Sequence, residues 1–312
     1  MSASTTALRQ AMDDYLSLRR ALGFKLRRET WWLPSFAAFL EEQGSDVITV
    51  DIALRWAQLP VDADPSWWAT RLGVIRRFAQ HHQASDPRTE VPVADLLPYR
   101  RTRKTPHIYT DEEIHALMEQ ASLLRRPLMA ATYTTLIGLL AATGMRIGEA
   151  IALDHRDIDW LRARLHVRNS KFDKSRYVPV HEETIDALRS YVTSRDRLRP
   201  PDRASPSFFV SLASTRLIYN NVALVFSRLR SRAAIAPRAG RPPRLHDLRH
   251  SFAVTTLLNW YRSDVDVERR LPALSTYLGH VNPTTTYWYL TATPELLALA
   301  SKRAEQAWKV RP

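Results

Sequence analysis

Between Pro127 and Met145 the chain runs for nineteen residues without a charge, PLMAATYTTLIGLLAATGM, and the next residue is Arg146. That is close to the length that spans a bilayer. The run nevertheless carries four threonines, a tyrosine and two glycines, and the arginine follows at once. We read it as a helix apolar on all sides and buried inside a domain rather than in a membrane. Such a helix must be surrounded, so the chain needs a substantial core. With 312 residues, 45% of them hydrophobic and 25% charged, it has enough material for two domains.

The flanking regions supply the surroundings. Four amphipathic segments precede residue 97. In the first, Leu8, Met12, Tyr15, Leu16 and Leu22 fall near one face, and Gly23 stops it. The second places Trp32, Phe36, Phe39 and Leu40 together, the third has Thr49 as its cap, and the fourth starts at Ser66. Arg71, Arg76 and Arg77 stand among the apolar positions of that fourth segment. Residues 1–97 thus read as a helical bundle. From 98 to 106, Arg100, Arg101, Arg103 and Lys104 lie between two prolines, as in an extended basic linker. Thr110 and Glu113 form a capping box that opens a second domain, 107–312. There ARLHVRN and SRYVPV alternate like a hairpin around the turn SKFDK, and SFFVS reads as a third short strand. The fold class expected is mainly α with a small antiparallel sheet.

Charge narrows the partner. Forty-five Lys and Arg against 32 Asp and Glu leave +13, which favours a polyanion, nucleic acid before a membrane surface. Residues 1–106 hold only +3 of it (15 basic, 12 acidic), so +10 belongs to the second domain and its tail. There is no cysteine, which excludes disulfides, thiol catalysis and thiolate metal sites. The start, MSASTTALRQAMDD, lacks an apolar signal core, and a cytoplasmic, nucleoid-associated protein is expected.

Four stretches carry polar chemistry. AATGMRIGEA delivers Arg146 just past a helix-ending Gly144, with Glu149 as an internal partner. RLHDLRHSFA puts His246 and Arg249 on one helical face, while His250 allows a rival reading as half of a metal site. NSKFDKSRYVPV places Lys171 and Lys174 on the hairpin turn. LGHVNPTTTYWYL sets His280 ahead of Tyr287 and Tyr289, with Asn282 and Pro283 opening a helix. On that helix the two tyrosines lie about 200° apart, so one can pack while the other enters a site. Together these groups suit a phosphodiester. Arginine forks match non-bridging phosphate oxygens, and two of them can stabilise a five-coordinate phosphorus. A tyrosine can attack it, given a base or nearby positive charge. Arg176 and Arg244, beside these motifs, join the candidate DNA contacts with Arg71, Arg76, Arg77, Arg100, Arg101, Arg103, Lys104 and Lys174.

TGMRIGEA, SKFDKSRYVPV, HDLRH and LGH with a tyrosine nine residues on, in this order and spacing, resemble the tyrosine recombinase (phage integrase) family across residues 107–290. The helical front resembles that family's core-binding domain. The resemblance assigns catalysis to Arg146, Lys171, His246, Arg249, His280 and Tyr289, with Tyr289 as nucleophile and Tyr287 packing or facing a partner. It implies strand exchange through a 3′-phosphotyrosyl bond and a free 5′-hydroxyl, with no metal, nucleotide or other cofactor. The implied partners are double-stranded DNA with inverted-repeat half-sites and further copies of the chain, two per site and four in synapsis, or co-acting related recombinases. The two domains would clamp DNA, and the tail from about 293 would pack on a neighbour. Two departures stand out: Ser170 and Phe172 flank Lys171 where the family has a glycine, and Gly148 replaces a small polar residue. RRALGFK and LLP point to mobile-element integrases encoded as adjacent recombinases. The rival readings are a relative that only binds DNA, a metal nuclease using His246 and His250, and a topoisomerase acting on one duplex.

Overall fold

Four helices build the front of the chain: α1 (Ala3–Ala21), α2 (Glu29–Glu42), α3 (Val50–Gln58) and α4 (Pro65–His82). The computed structural model describes residues 3–99, 105–168, 175–199, 205–237, 241–263, 265–280, 282, 284–291 and 293–309. They belong to two compact units, Met1–Arg103 and Lys104–Pro312. The first unit's core takes Leu8, Met12, Tyr15 and Leu16 from α1, Leu33, Phe36 and Leu40 from α2, Trp56 from α3, and Leu72, Ile75 and Phe78 from α4. Leu22 lies beyond this face and is exposed. Thr49 caps α3 as expected, accepting from the Ile52 amide. The start of α4 differs from the sequence reading: Asp64 is the cap, Pro65 is the first helical residue, and the Asp64 carboxylate accepts from Ser66 N at 2.8 Å. Pro65 is preset for that position and needs no amide partner.

The second unit opens with α5 (Asp111–Ser122), whose Thr110–Glu113 capping box is formed. The uncharged run becomes α6 (Pro127–Thr143). It packs against α5, α8 (Glu182–Leu198) and α10 (Leu245–Arg262), which is why it needs no polar face. No described helix is long and apolar enough to cross a membrane. After α7 (Ile147–Ala152) the chain forms β1 (Ile158–Asp159), β2 (Arg164–Val167) and β3 (Arg176–Pro179), antiparallel in the order β1-β2-β3, with Leu165 opposite Val178. The hairpin is where the alternation put it, but the third strand is not SFFVS. That stretch makes only isolated bridges, Asp154 with Ser207 and Val210 with Arg216, while Phe208 and Phe209 fill the core. Its apolar pattern reflects burial rather than sheet pairing.

The remaining helices are α9 (Tyr219–Arg232), α11 (Val267–Leu278), α12 (Thr284–Tyr287) and α13 (Pro294–Lys309), with a 3-10 turn at Trp288–Thr291. Asn282 accepts from the Thr284 amide at 2.9 Å, as its place before α12 predicts. Leu296 of α13 is buried in one cluster with Tyr289, Leu257, Leu274 and Leu278. In this structure the tail therefore lies on its own unit, where the resemblance implied a neighbour, and Leu297 is left exposed.

Candidate active site

Two helix ends make the site. The first is the C-terminus of α6. Gly144 takes a left-handed conformation (φ 58°) and its amide bonds back to Leu140 O at 2.9 Å. A Cβ there would stand 2.5 Å from the Phe252 ring, so the turn needs glycine. The second is the C-terminus of α11, where Gly279 is left-handed (φ 69°) and His280 N bonds to Ser275 O, a Schellman closure. The last carbonyls of both helices are left over and carry partial negative charge.

Arginines collect them. Arg249, on α10 and only 2% exposed, donates Nη1 to Gly144 O at 2.8 Å and Nη2 to Leu278 O at 2.7 Å and to His280 Nε2 at 2.8 Å. Burial, and then the charge of Arg146, push its pKa down to about 10. Arg146 donates Nη2 to Gly279 O at 2.9 Å and Nη1 to Glu149 Oε1 at 2.8 Å, while its backbone amide reaches Glu149 Oε2 at 2.9 Å. Glu149 is thus the internal partner that its spacing suggested. Part of the Arg146 side chain remains open to solvent.

The histidines complete one wall. His280 accepts from Arg249 through Nε2, which assigns the proton to Nδ1, and that atom donates to Thr286 Oγ1 at 2.8 Å. Desolvation, then Arg249, Arg146 and Arg176, hold His280 down to about 4. His246, which reaches solvent, is held below the ordinary imidazole range by desolvation and the charges of Arg249, Arg244 and Arg146. Both are neutral near pH 7.

Tyr289 is 2% exposed, its ring stacked on His280 at 6.1 Å and tilted against His250 at 5.5 Å. Tyr287 is 51% exposed and points away from that packing. Arg146, His246, Arg249, His280 and Tyr289 therefore come together in the second unit. Lys171 and Lys174 lie outside the described residues. His250 and His246 meet edge to face at 4.8 Å, and His250 also packs on Trp288 at 5.3 Å. Among the described residues no group of three or more His, Cys, Asp or Glu could hold a metal.

The other candidate DNA contacts divide. Arg71 is corrected: it is buried, stacked 3.8 Å over Trp56, with Nη2 on Trp56 O at 2.9 Å, so it holds the first unit's core together. Arg176 is corrected too. Its side chain is 11% exposed and bonds both Glu149 oxygens, at 3.1 and 2.8 Å, and Tyr277 O at 2.8 Å. Arg76 is turned to Pro92 O, while Arg77 shares Glu29 at 3.1 Å and Arg244 lies 3.4 Å from Asp247, both half exposed. Arg100, Arg101, Arg103 and Lys104 lie outside the described residues. The inward role of Arg176 had a signal: in a strand it shares the face of Val178, which is buried. Thr286 had none.

The profile of the phage integrase family matches residues 108–295. The chain is 44% identical over 312 residues to the putative integrase/recombinase y4rB of Sinorhizobium fredii, covering 98% of this chain and 99% of that one. It is 34% identical over 228 residues to the tyrosine recombinase XerD of Mycobacterium tuberculosis, covering 72% and 68%. Among solved structures, the XerH site-specific recombinase bound to palindromic difH substrate superposes with a TM-score of 0.65 at 16% identity, covering 99% of this chain and 85% of that one. Family match, relatives and site geometry agree, and the chain belongs to the phage integrase family of tyrosine-type site-specific recombinases.

Proposed function

We propose that the chain carries out site-specific DNA recombination through a covalent phosphotyrosine. The observation that carries this reading is Arg249, a buried guanidinium to which no carboxylate among the described residues is bonded, converging with Arg146 beside Tyr289. A phosphodiester is the anion such a pair fits. Tyr289 Oη bonds to phosphorus, its proton passing to a neutral histidine, and the 5′-oxygen departs with a proton that the resemblance assigns to Lys171. The guanidinium pair takes up the charge of the five-coordinate phosphorus, work that a cation does in metal enzymes. The phosphotyrosyl bond keeps the energy of the phosphodiester, so rejoining to another 5′-hydroxyl needs no nucleotide. Because Tyr289 is shielded, the Trp288–Thr291 turn must shift for DNA to reach it.

The basic linker, Lys174, Arg77 and Arg244 are the proposed contacts to the phosphate backbone. Palindromic half-sites and paired copies follow from the family. A nicked suicide substrate tests the reading: the wild-type chain and Tyr287→Phe should be trapped covalently on DNA, and Tyr289→Phe should bind without trapping. Trapping by Tyr289→Phe would overturn the assignment.

A further inference from the structure

Glu149 is the one carboxylate bonded to the described arginine cluster, and two guanidiniums share it. Arg146 takes one oxygen through its side chain and the other through its amide. Arg176 takes both oxygens with Nη1 and Nη2, and its Nε is spent on Tyr277 O. The guanidinium lies under the Gly279 turn so closely that a Cβ at Gly279 would stand 2.7 Å from Nη1. Arg176 thus touches the carboxylate that steers Arg146 and the turn that presents Gly279 O and His280. It has little exposed surface of its own to offer DNA.

One negative charge held by one arginine would make a neutral pair. Held by two, it leaves a full positive charge over, and the surplus lies where Arg146 opens to solvent. We propose that Arg176 is a positioning residue for the strand-exchange chemistry: by taking up the Glu149 carboxylate it leaves the charge of Arg146 less offset toward the phosphate. The inference rests on the phosphotyrosine reading above. Burial opposes ionisation of Glu149, but Arg176, ahead of Arg146, holds its pKa down to about 2, in keeping with this division. Arg176 also begins β3, so its ion pair with Glu149 pins one foot of the hairpin to α7, and its bond to Tyr277 O pins it to α11.

The effect belongs to the chemical step, where the phosphate gains charge, more than to binding. Three variants of the full chain separate this from a plain structural role: Arg176→Met, Arg176→Lys, and Arg176→Met with Glu149→Gln. Each is checked for folding by thermal melting, for half-site affinity by gel shift, and for its single-turnover rate of covalent trapping on a nicked half-site. Arg176→Met leaves Glu149 to neutralise Arg146, so trapping should slow by about 10-fold or more with affinity within about 3-fold. Arg176→Lys keeps the charge and should retain most of the rate. In the double variant the neutralising carboxylate is gone, so trapping should be faster than in Arg176→Met alone. A structural brace would give the opposite, a further loss on adding the second substitution. Wild-type trapping by Arg176→Met, or a double variant no faster than it, would overturn the proposal. Should Arg176→Met not fold, Arg176→Gln takes its place in the same cycle. A wild-type chain that forms no adduct would sink the phosphotyrosine reading instead.

Discussion

Arg71 and Arg249 are both buried arginines bonded to backbone carbonyls, and they do opposite things. The groups that Arg71 touches are uncharged: the Trp56 ring beneath it, Trp32 at 5.8 Å, and a carbonyl on one nitrogen. Its pKa is lowered by desolvation alone. Around Arg249 stand helix-end carbonyls, a neutral histidine, the charges of Arg146 and Arg176, and the one carboxylate of Glu149 that those two arginines share. Tryptophan faces attract a cation, and Arg71 rests on them although its Nε is buried without a hydrogen-bond partner. Two further cations beside Arg249 do the reverse, Glu149 offsets only one of them, and Arg249 is left in a field that an anion would relieve. Burial does not separate a structural arginine such as Arg71 from the proposed catalytic one. The charges of their neighbours do.

The largest effect that could break this contrast comes from exchanging the two roles. Arg249→Met should cost about 10²–10³-fold in trapping rate while half-site binding persists. Arg71→Met should trap at an unchanged rate per folded molecule and lose about 1–3 kcal/mol of stability, because Trp56 O loses its donor. Loss of chemistry in stably folded Arg71→Met would erase the distinction.

Gly279→Ala is the next in size. A left-handed alanine costs about 1 kcal/mol before any clash, and this one meets the Arg176 guanidinium. Trapping and melting temperature should both fall. Gly44→Ala, also left-handed but with open space around it, should cost only the backbone term and leave trapping intact. Equal losses at the two glycines would remove Arg176 from the explanation.

Acid sensitivity is the smallest effect. Desolvation and nearby cations hold His250 down to about 3 and His280 to about 4, and lower His246. As pH falls below an unfolded value near 6.5, the unfolded chain takes protons that the folded one refuses, so stability is lost as pH drops from there toward 4. Melting temperature should follow that window, and His250→Phe, which keeps a ring between His246 and Tyr289, should flatten the fall. An unchanged slope would move the acid sensitivity away from the site.

Much of this was legible in the chain itself. The uncharged run, the Thr110 capping box, the hairpin alternation and the order of polar motifs are local patterns, and local geometry realised them. What escaped depended on contacts far along the chain. Arg71 reads as a phosphate ligand because nothing near it shows Trp56 beneath, fifteen residues away in sequence. SFFVS reads as a strand because burial and pairing give the same apolar run, and β1 has only two residues, too few to alternate. Arg176 was the exception, since its strand parity pointed inward. Thr286, which fixes the His280 proton, sits in a run of three threonines that sequence cannot rank.

Tyr287 stands outside while Tyr289, two residues on, is shielded, because the chain passes from α12 into a 3-10 turn between them. The chain has no cysteine. A single thiol introduced as Tyr287→Cys would therefore be the only one to label. A dye attached there rides on the same short segment as the proposed nucleophile without occupying its pocket, so its emission should time the emergence of Tyr289 onto DNA separately from the bond-making step.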